Sequence, residues 1–170
     1  HSTSRRQRQM CIRDSFKPEE IIGADISGAG RQRAKETYGI HVTDNNKKAA
    51  SEAEVLVLSV KPQYYAETIA EIRDYVREDQ IIITIAPGKT LSWLGEQFGK
   101  SVKIVRTMPN TPALVGEGMT AACVNEYVTE EERAYALKIL SSYRRGGRCQ
   151  RQRTGICVYV HRSHGGRGGG

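Results

Sequence analysis
Between Ile21 and Ser142 short apolar runs alternate with stretches that mix apolar and polar positions at helical spacing. Such alternation predicts strands laid side by side in a mostly parallel sheet, with helices covering both faces. Strands are expected at Glu20–Asp25, Ile40–Thr43, Val55–Val60, Gln80–Ile85, Val102–Arg106 and Gly118–Val124. Helices are expected at Gly30–Tyr38, Asn46–Ser51, Pro62–Val76, Leu91–Phe98 and Thr129–Leu140. Val55–Leu58 and Ile81–Ile83 are unbroken apolar runs, as strands covered on both faces require. Pro62 stands near a first helical position, where a missing N–H costs nothing. Thr129 followed by Glu132 has the spacing of a capping box. The fold class is α/β, doubly wound.

The ends do not continue this pattern. Residues 143–170 are rich in Arg and Gly with little periodicity, a composition expected of a basic, disordered tail. The genetic code offers a second reading. Dropping the first base of each codon from Tyr143 and regrouping, with synonymous bases chosen freely, permits a string that continues from Arg144 as DAVAGVSGSGPAYVFMFIEAMADGA. That string is orderly and apolar, and it favours a change of frame near Ser142 to Tyr143. His1–Ser15 reads as translated cloning or adapter sequence rather than as a targeting segment. The expected organisation is a non-native leader over 1–15, one nucleotide-binding domain over 16–142, and an out-of-frame tail over 143–170.

Charge supports this division. The chain of 170 residues has a formal charge of +7. Residues 1–15 hold four Arg against one Asp, and residues 143–170 hold seven Arg and no acid, so the ends carry +10 and residues 16–142 carry −3. A nucleic-acid groove would need its cations spread over one folded face, interleaved with aromatics. No nucleic-acid partner is expected. Cys11, Cys123, Cys149 and Cys157 form no C-x-x-C pair, so neither a zinc site nor a disulfide framework is indicated, and a reduced, cytoplasmic setting fits. No apolar run approaches the roughly 18 residues of a membrane span, and no membrane partner is expected.

Several segments could carry chemistry. A dinucleotide fold normally opens with a strand and G-x-G-x-x-G, whose glycines bring the pyrophosphate against backbone N–H groups at a helix start. Here the strand ending at Asp25 reads as the second of such a fold, so the first strand and the fingerprint are missing and the fold is expected to be incomplete. Gly28 and Gly30 imitate the fingerprint, but Arg33 stands where its third glycine belongs, and a plain strand-to-helix turn accounts for them. Gly88-Lys89-Thr90 imitates a P-loop, yet Ile83 occupies the place of its first glycine. Asp25 is more informative, because an acid ending the second strand often accepts bonds from the adenosine ribose hydroxyls and leans toward NAD. Arg31 and Arg33 are near enough in sequence to offset that charge, although exposed helix arginines are usually just solvated. Ser59, Val60, Lys61 and Pro62 follow a buried strand at the edge where open α/β sheets bind ligands. Arg106–Pro112 follows another, and its amide and hydroxyl could hold a carboxamide. Each of these loops read alone is more often a simple connection.

Taken together, L-S-V-K-P-Q at 58–63, I-A-P-G at 85–88, R-T-M-P-N-T-P at 106–112 and G-E-G-M-T at 116–120 resemble the pyrroline-5-carboxylate reductases. The likeness covers about residues 16–142, and S-G-S-G-P-A-Y in the shifted frame resembles that family's next motif. It implies a Rossmann-like domain that binds NADPH or NADH, followed by a helical domain that forms the dimer and much of the imine pocket. The reaction it implies is the reduction of 1-pyrroline-5-carboxylate to L-proline, hydride passing from the nicotinamide to the C=N carbon. By motif, Asp25 and Asn46 would contact the adenosine end. Ser59 to Pro62 and Ala86, Pro87 and Gly88 would line the cofactor's path, with Asn110 and Thr111 near the nicotinamide. No catalytic acid is assigned and no metal is implied. Without the fingerprint or the helical domain, this polypeptide itself is expected to be inactive.

Two other readings compete. Rossmann reductases of the hydroxyacid or deazaflavin kind share the fold, although the motif at 106–112 disfavours them. If the basic ends belong to the protein, it would instead be a nucleic-acid-binding module, and its binding would be tight and salt-sensitive.

Overall fold
The computed structural model describes residues 17–85, 88–109, 120–146 and 156–159. Seven strands form one sheet: β1 (Ile21–Ala24), β2 (His41–Thr43), β3 (Val55–Leu58), β4 (Ile81–Thr84), β5 (Lys103–Pro109), β6 (Thr120–Val124) and β7 (Ile156–Tyr159). Their spatial order is β2-β1-β7-β3-β4-β5-β6. The pairs β1/β2, β3/β4 and β4/β5 are parallel, while β6 and β7 run antiparallel to their neighbours. Five helices connect the strands: α1 (Gly28–Tyr38), α2 (Asn46–Glu52), α3 (Tyr65–Ile72), α4 (Leu91–Phe98) and α5 (Glu130–Gly146).

Alternation along β3 and β4 sorts their side chains to two cores. Leu56, Leu58 and Ile82 join Ala49 and Ala50 of α2, Tyr65, Ile69 and Ile72 of α3, and Leu94 and Phe98 of α4. Val55, Val57, Ile81 and Ile83 join Val105 and, from α5, Ala136 and Ile139. Helices therefore cover both faces, and the expected doubly wound α/β class is found.

The order of the sheet changes one expectation. The place between β1 and β3, where the first strand of a dinucleotide fold would stand, is filled by β7. Ile21 to Ala24 pair with Tyr159 to Ile156, and Val55 to Val57 pair with Tyr159 to Cys157. Four residues of the Arg- and Gly-rich end thus stand at the centre of the sheet. The physical reason is the paired demand of β1 and β3, whose inward edges would otherwise present unmatched N–H and C=O groups.

Element limits differ where local chemistry outweighs periodicity. α1 begins at Gly28, so Gly28 and Gly30 form its first turn rather than a preceding loop; Ser27 Oγ accepts the Gly30 N–H at 3.2 Å. The helix expected over Pro62–Val76 is a 3-10 turn, Pro62–Tyr64, followed by α3. Beyond α3, Gln80, wholly buried, ties the region together: its Nε2 donates to the carbonyls of Ala50 and Ala53, and its Oε1 accepts the Arg77 N–H. Arg77 Nη1 donates to the Ser51 carbonyl at 2.7 Å. The carbonyls at the end of α2 are therefore satisfied by side chains from the turn that precedes β4.

The Thr129 capping box is present, with Thr129 N donating to Glu132 Oε2 at 3.0 Å and Glu132 N to Thr129 Oγ1 at 3.2 Å. The helix it opens runs on past the expected limit at Leu140 to Gly146. Glu132 also receives a 2.6 Å bond from Lys103 Nζ, which pins the first turn of α5 to the first residue of β5. Partial burial pushes the Glu132 carboxyl upward, but Lys103 and the Thr129 N–H and hydroxyl outweigh it and hold the pKa below its ordinary value. A depressed carboxyl stabilises the fold above the unfolded-state pKa of about 4.3, and that contribution is lost as pH falls through the lower folded value. Glu132→Gln should lower the urea midpoint at pH 7. The gap between mutant and parent should narrow as pH falls below the unfolded value and through the lower folded one, beyond which the carboxyl is protonated in both states.

Candidate functional site
β3 and β4 are fully buried, and β1 to β5 all run in one direction, so the segments that leave them emerge along one edge. Asp25 follows β1, Asn45 and Asn46 follow β2, Ser59 to Pro62 follow β3, and Gly88 follows β4. This is the carboxyl edge, at which open α/β sheets bind ligands. Ala86, Pro87, Asn110 and Thr111, also expected at the site, lie outside the described residues.

Asp25 is 7% exposed and sits in a tight turn in which its Oδ1 accepts the Ser27 N–H at 2.8 Å. Arg31 reaches back beneath this turn: Nη1 donates to the carbonyls of Asp25 at 2.7 Å and Ile26 at 3.2 Å, and Nη2 lies 3.7 Å from Asp44. Arg31 thus braces the main chain around Asp25 instead of pairing with its carboxylate. Arg33 is exposed on α1. Ile26, 66% exposed, is the most open large apolar side chain of the described core-forming region and stands beside Asp25. The turn therefore offers an acceptor next to an apolar surface, a combination suited to a ribose and its flat base. Ser27, Ile26 and Arg31 were not among the expected contacts, although Ser27 before a helix start is a recognisable cap.

Asn45 rather than Asn46 caps α2, its Oδ1 accepting the Lys48 N–H at 3.0 Å. Asn46 Nδ2 donates to Glu71 Oε2 of α3 at 2.8 Å. Asn46 is half-buried at the carboxyl edge, and its amide is engaged with a neighbouring helix.

The segment from Ser59 to Pro62 is fixed from below. Tyr65, fully buried, donates its hydroxyl to the Leu58 carbonyl at 2.6 Å, and Tyr64 N donates to the Lys61 carbonyl at 2.9 Å. Val60 packs against the core while Ser59, Lys61 and Pro62 are half-buried. Pro62 is the first residue of the 3-10 turn, in keeping with its fixed φ. The main chain of the loop is thereby fixed at both of its ends.

Gly88 has φ +77°, and a Cβ there would meet nothing within 4 Å, so the glycine serves the turn's backbone and leaves the space beside it open. The neighbouring P-loop imitation resolves into ordinary structure. Thr90 Oγ1 caps α4 by accepting the Trp93 N–H at 3.1 Å, and Lys89 Nζ lies 4.0 Å from the Trp93 ring centroid.

At the opposite edge a cavity of about 250 Å³ is lined by Glu54, Val55, Arg77, Asp79, Ile81 and Tyr135. None of the expected site residues borders it. Among the described residues, no cluster of three or more His, Cys, Asp or Glu could hold a metal, and no helix is long and apolar enough to cross a membrane.

Comparisons with known proteins bear on the fold and the family. The family described as NADP oxidoreductase, coenzyme F420-dependent, matches residues 8–88. The pyrroline-5-carboxylate reductase of Synechocystis sp. is 38% identical over 128 residues, covering 75% of this chain and 47% of that protein. That of Escherichia coli K12 is 36% identical over 106 residues, covering 62% of this chain and 39% of that protein. Among solved structures, a pyrroline-5-carboxylate reductase from Coxiella burnetii has a TM-score of 0.74 at 31% identity, covering 84% of this chain and 53% of its own. A Plasmodium falciparum pyrroline carboxylate reductase with NADP bound has a TM-score of 0.55 at 32% identity, covering 61% of this chain and 39% of its own. The chain spans about half the length of the first curated relatives it matches, 47% and 48%.

Tyr65→Phe keeps the ring and removes the bond to the Leu58 carbonyl. It should cost about 1–2 kcal/mol in urea unfolding. It should also raise amide exchange at Ser59 and Val60, read by hydrogen–deuterium exchange.

Proposed function
We propose that this chain, which carries the dinucleotide-binding domain of the pyrroline-5-carboxylate reductase family, serves an enzyme that reduces 1-pyrroline-5-carboxylate to L-proline with NADPH or NADH. The observation that carries this reading is the convergence of Asp25, Asn46, Ser59–Pro62 and Gly88 on the carboxyl edge of one parallel sheet. Their motifs are those of a reductase whose relatives carry that name. The bound nicotinamide would supply the hydride, which passes to the carbon of the cyclic C=N bond while the ring nitrogen ends as an amine. The protein's share is to bind and orient. Asp25 would accept bonds from the adenosine ribose, with Asn46 beside it. Ser59, Val60, Lys61 and Pro62 would form one wall of the cofactor's path, with Ala86, Pro87 and Gly88 as the other, and Asn110 and Thr111 would meet the nicotinamide. The substrate would be a small cyclic imino acid, and the enzyme a cytoplasmic homo-oligomer with neither nucleic-acid nor membrane partners. A deazaflavin-dependent reductase is the less favoured reading, because the pyrroline-5-carboxylate reductases of Synechocystis sp. and Coxiella burnetii match over more of the chain than residues 8–88.

The chain by itself is expected to bind the cofactor weakly and to turn nothing over. β7 enters the sheet at the carboxyl edge, beside Ala24, whereas a fingerprint strand would leave there into a helix start and point N–H groups at the pyrophosphate. Titrating NADH and NADPH into labelled protein should perturb the amide resonances of Asp25, Asn46, Ser59 and Gly88 together. Perturbation confined to other residues, or none at millimolar nucleotide, would overturn the cofactor assignment. Measurable imine reduction by the chain alone would refute its expected inactivity.

Asp25 should also set the choice between the cofactors, since its carboxylate repels a 2′-phosphate. Asp25→Ser should shift the ratio of NADPH to NADH affinity by roughly tenfold toward NADPH, equivalent to about 1.4 kcal/mol.

A further inference from the structure
Lys89 and Thr84 flank the turn that leads from β4 into α4 at the carboxyl edge. Lys89 is half-buried, and its Nζ lies 4.0 Å from the centroid of the Trp93 ring. Trp93 packs against the core, so the ring is a fixed platform for the ammonium. A ring attracts a cation through its quadrupole yet leaves most of its N–H donors for other partners. Among the described residues no carboxylate lies within ion-pair distance of Lys89. Gly88, next in the chain, has φ +77° and open space where a Cβ would stand. A positive charge is thus held beside room for a ligand.

Thr84 is the last residue of β4 and is wholly buried. Its carbonyl accepts the Thr107 hydroxyl at 2.9 Å, whereas its own Oγ1 has no hydrogen-bond partner among the described residues. Alternation places its side chain on the face of Ile82, which Leu94 and Phe98 of α4 cover. The hydroxyl therefore lies on the side of the sheet where α4 starts. A buried hydroxyl without a partner destabilises the fold, and valine would fill the same space without that cost. Such departures from local consistency belong to functional sites, where a ligand brings the missing partner. The hydroxyl is closed to water, so a ligand reaches it by displacing the turn beside Gly88, where nothing lies within 4 Å of the Cβ position.

We propose that this turn is a phosphate subsite of the cofactor path, Lys89 meeting a phosphate oxygen with its ammonium and Thr84 donating its hydroxyl from the strand end. Lysine suits the task as a compact charge on a flexible stem. The inference rests on the cofactor reading and adds two residues to it.

The labelled full-length chain should be titrated with inorganic pyrophosphate and with NADH, each against sodium chloride of equal ionic strength. Trp93 is the one tryptophan of the chain, so its indole N–H gives a single resonance beside Lys89. Both phosphate compounds should move that resonance, and chloride should not. Lys89→Met should weaken both by roughly tenfold, the loss of one charge-assisted bond. Lys89→Arg should restore most of the affinity. Thr84→Val should raise the urea midpoint and still weaken both ligands by about fivefold, while Thr84→Ser should bind like the parent. A purely structural threonine would lower the midpoint on substitution by valine, and an idle one would leave affinity unchanged; either result overturns the proposal. Pyrophosphate binding by Lys89→Met equal to that of the parent overturns it too, as does an equal response of Trp93 to chloride. If NADH moves the amides of Asp25, Asn46, Ser59 and Gly88 while both variants bind like the parent, the cofactor reading stands and the subsite falls. If pyrophosphate acts through Lys89 and Thr84 while NADH moves none of those amides, the anion site stands and the cofactor reading falls.

Discussion
A buried strand must find partners for its backbone on both sides, and this structure depends on how that demand is met at β1 and β3. Both are flanked by cores or helices, and neither can turn its inner edge to water. With β7 between them the sheet is continuous from β2 to β6. Without a strand there, β1 and β2 with α1 would be joined to the rest chiefly through the packing of Ala24 and Ile22 against the core that α2 shares. Burial of apolar surface is not directional and could hold such halves near each other. Only the hydrogen-bonded ladder fixes their register, and register determines whether Asp25 and Ser59 stand on the same edge.

A second layer of polar bonds converts the sheet into a site. Tyr65, Gln80 and Arg77 all reach from one element to the orphan carbonyls of another. The bonds of Tyr65 and Gln80 satisfy buried acceptors, whereas that of Arg77 lies at the surface. The turn at Asp25 is built likewise, with Ser27 on one side and Arg31 underneath. The carboxyl edge is thus stiff before any ligand arrives, which lowers the ordering cost of binding.

The unbroken runs Val55–Leu58 and Ile81–Ile83 declared buried strands because nothing but two-sided burial suits such composition. The Thr129 and Glu132 pair declared its helix start because capping is a matter of neighbours in sequence. Local signals were less informative where two solutions were close. Ser27 and the glycines after it are compatible with a turn or a helix start, and the cap bond to Gly30 decides for the helix. Asn45 and Asn46 are adjacent and alike, and only the three-dimensional position of Glu71 separates capping from cross-helix bonding. Asp25 and the loop after β3 were legible as site candidates from the rule for strand ends, whereas the bracing by Arg31 was not, since its partners are carbonyls. Ile156–Tyr159 was the hardest to foresee: four apolar residues amid arginines and glycines carry no period, and their place follows from a vacancy made by residues far away in the chain.

That distance has a kinetic meaning. Ile21 pairs with Tyr159, 138 positions later. Closing so long a loop must be paid in chain entropy before the pairing returns anything, and contacts of this separation slow folding. During synthesis the segments of β1 to β6 emerge first, with the two facing edges bare until the last few residues of the strand have left the ribosome. The chain therefore spends its nascent life with its centre open, exposed to capture by any extended polypeptide within reach, and a chaperone that shields unpaired strand edges would matter more to its yield than the final stability of the sheet.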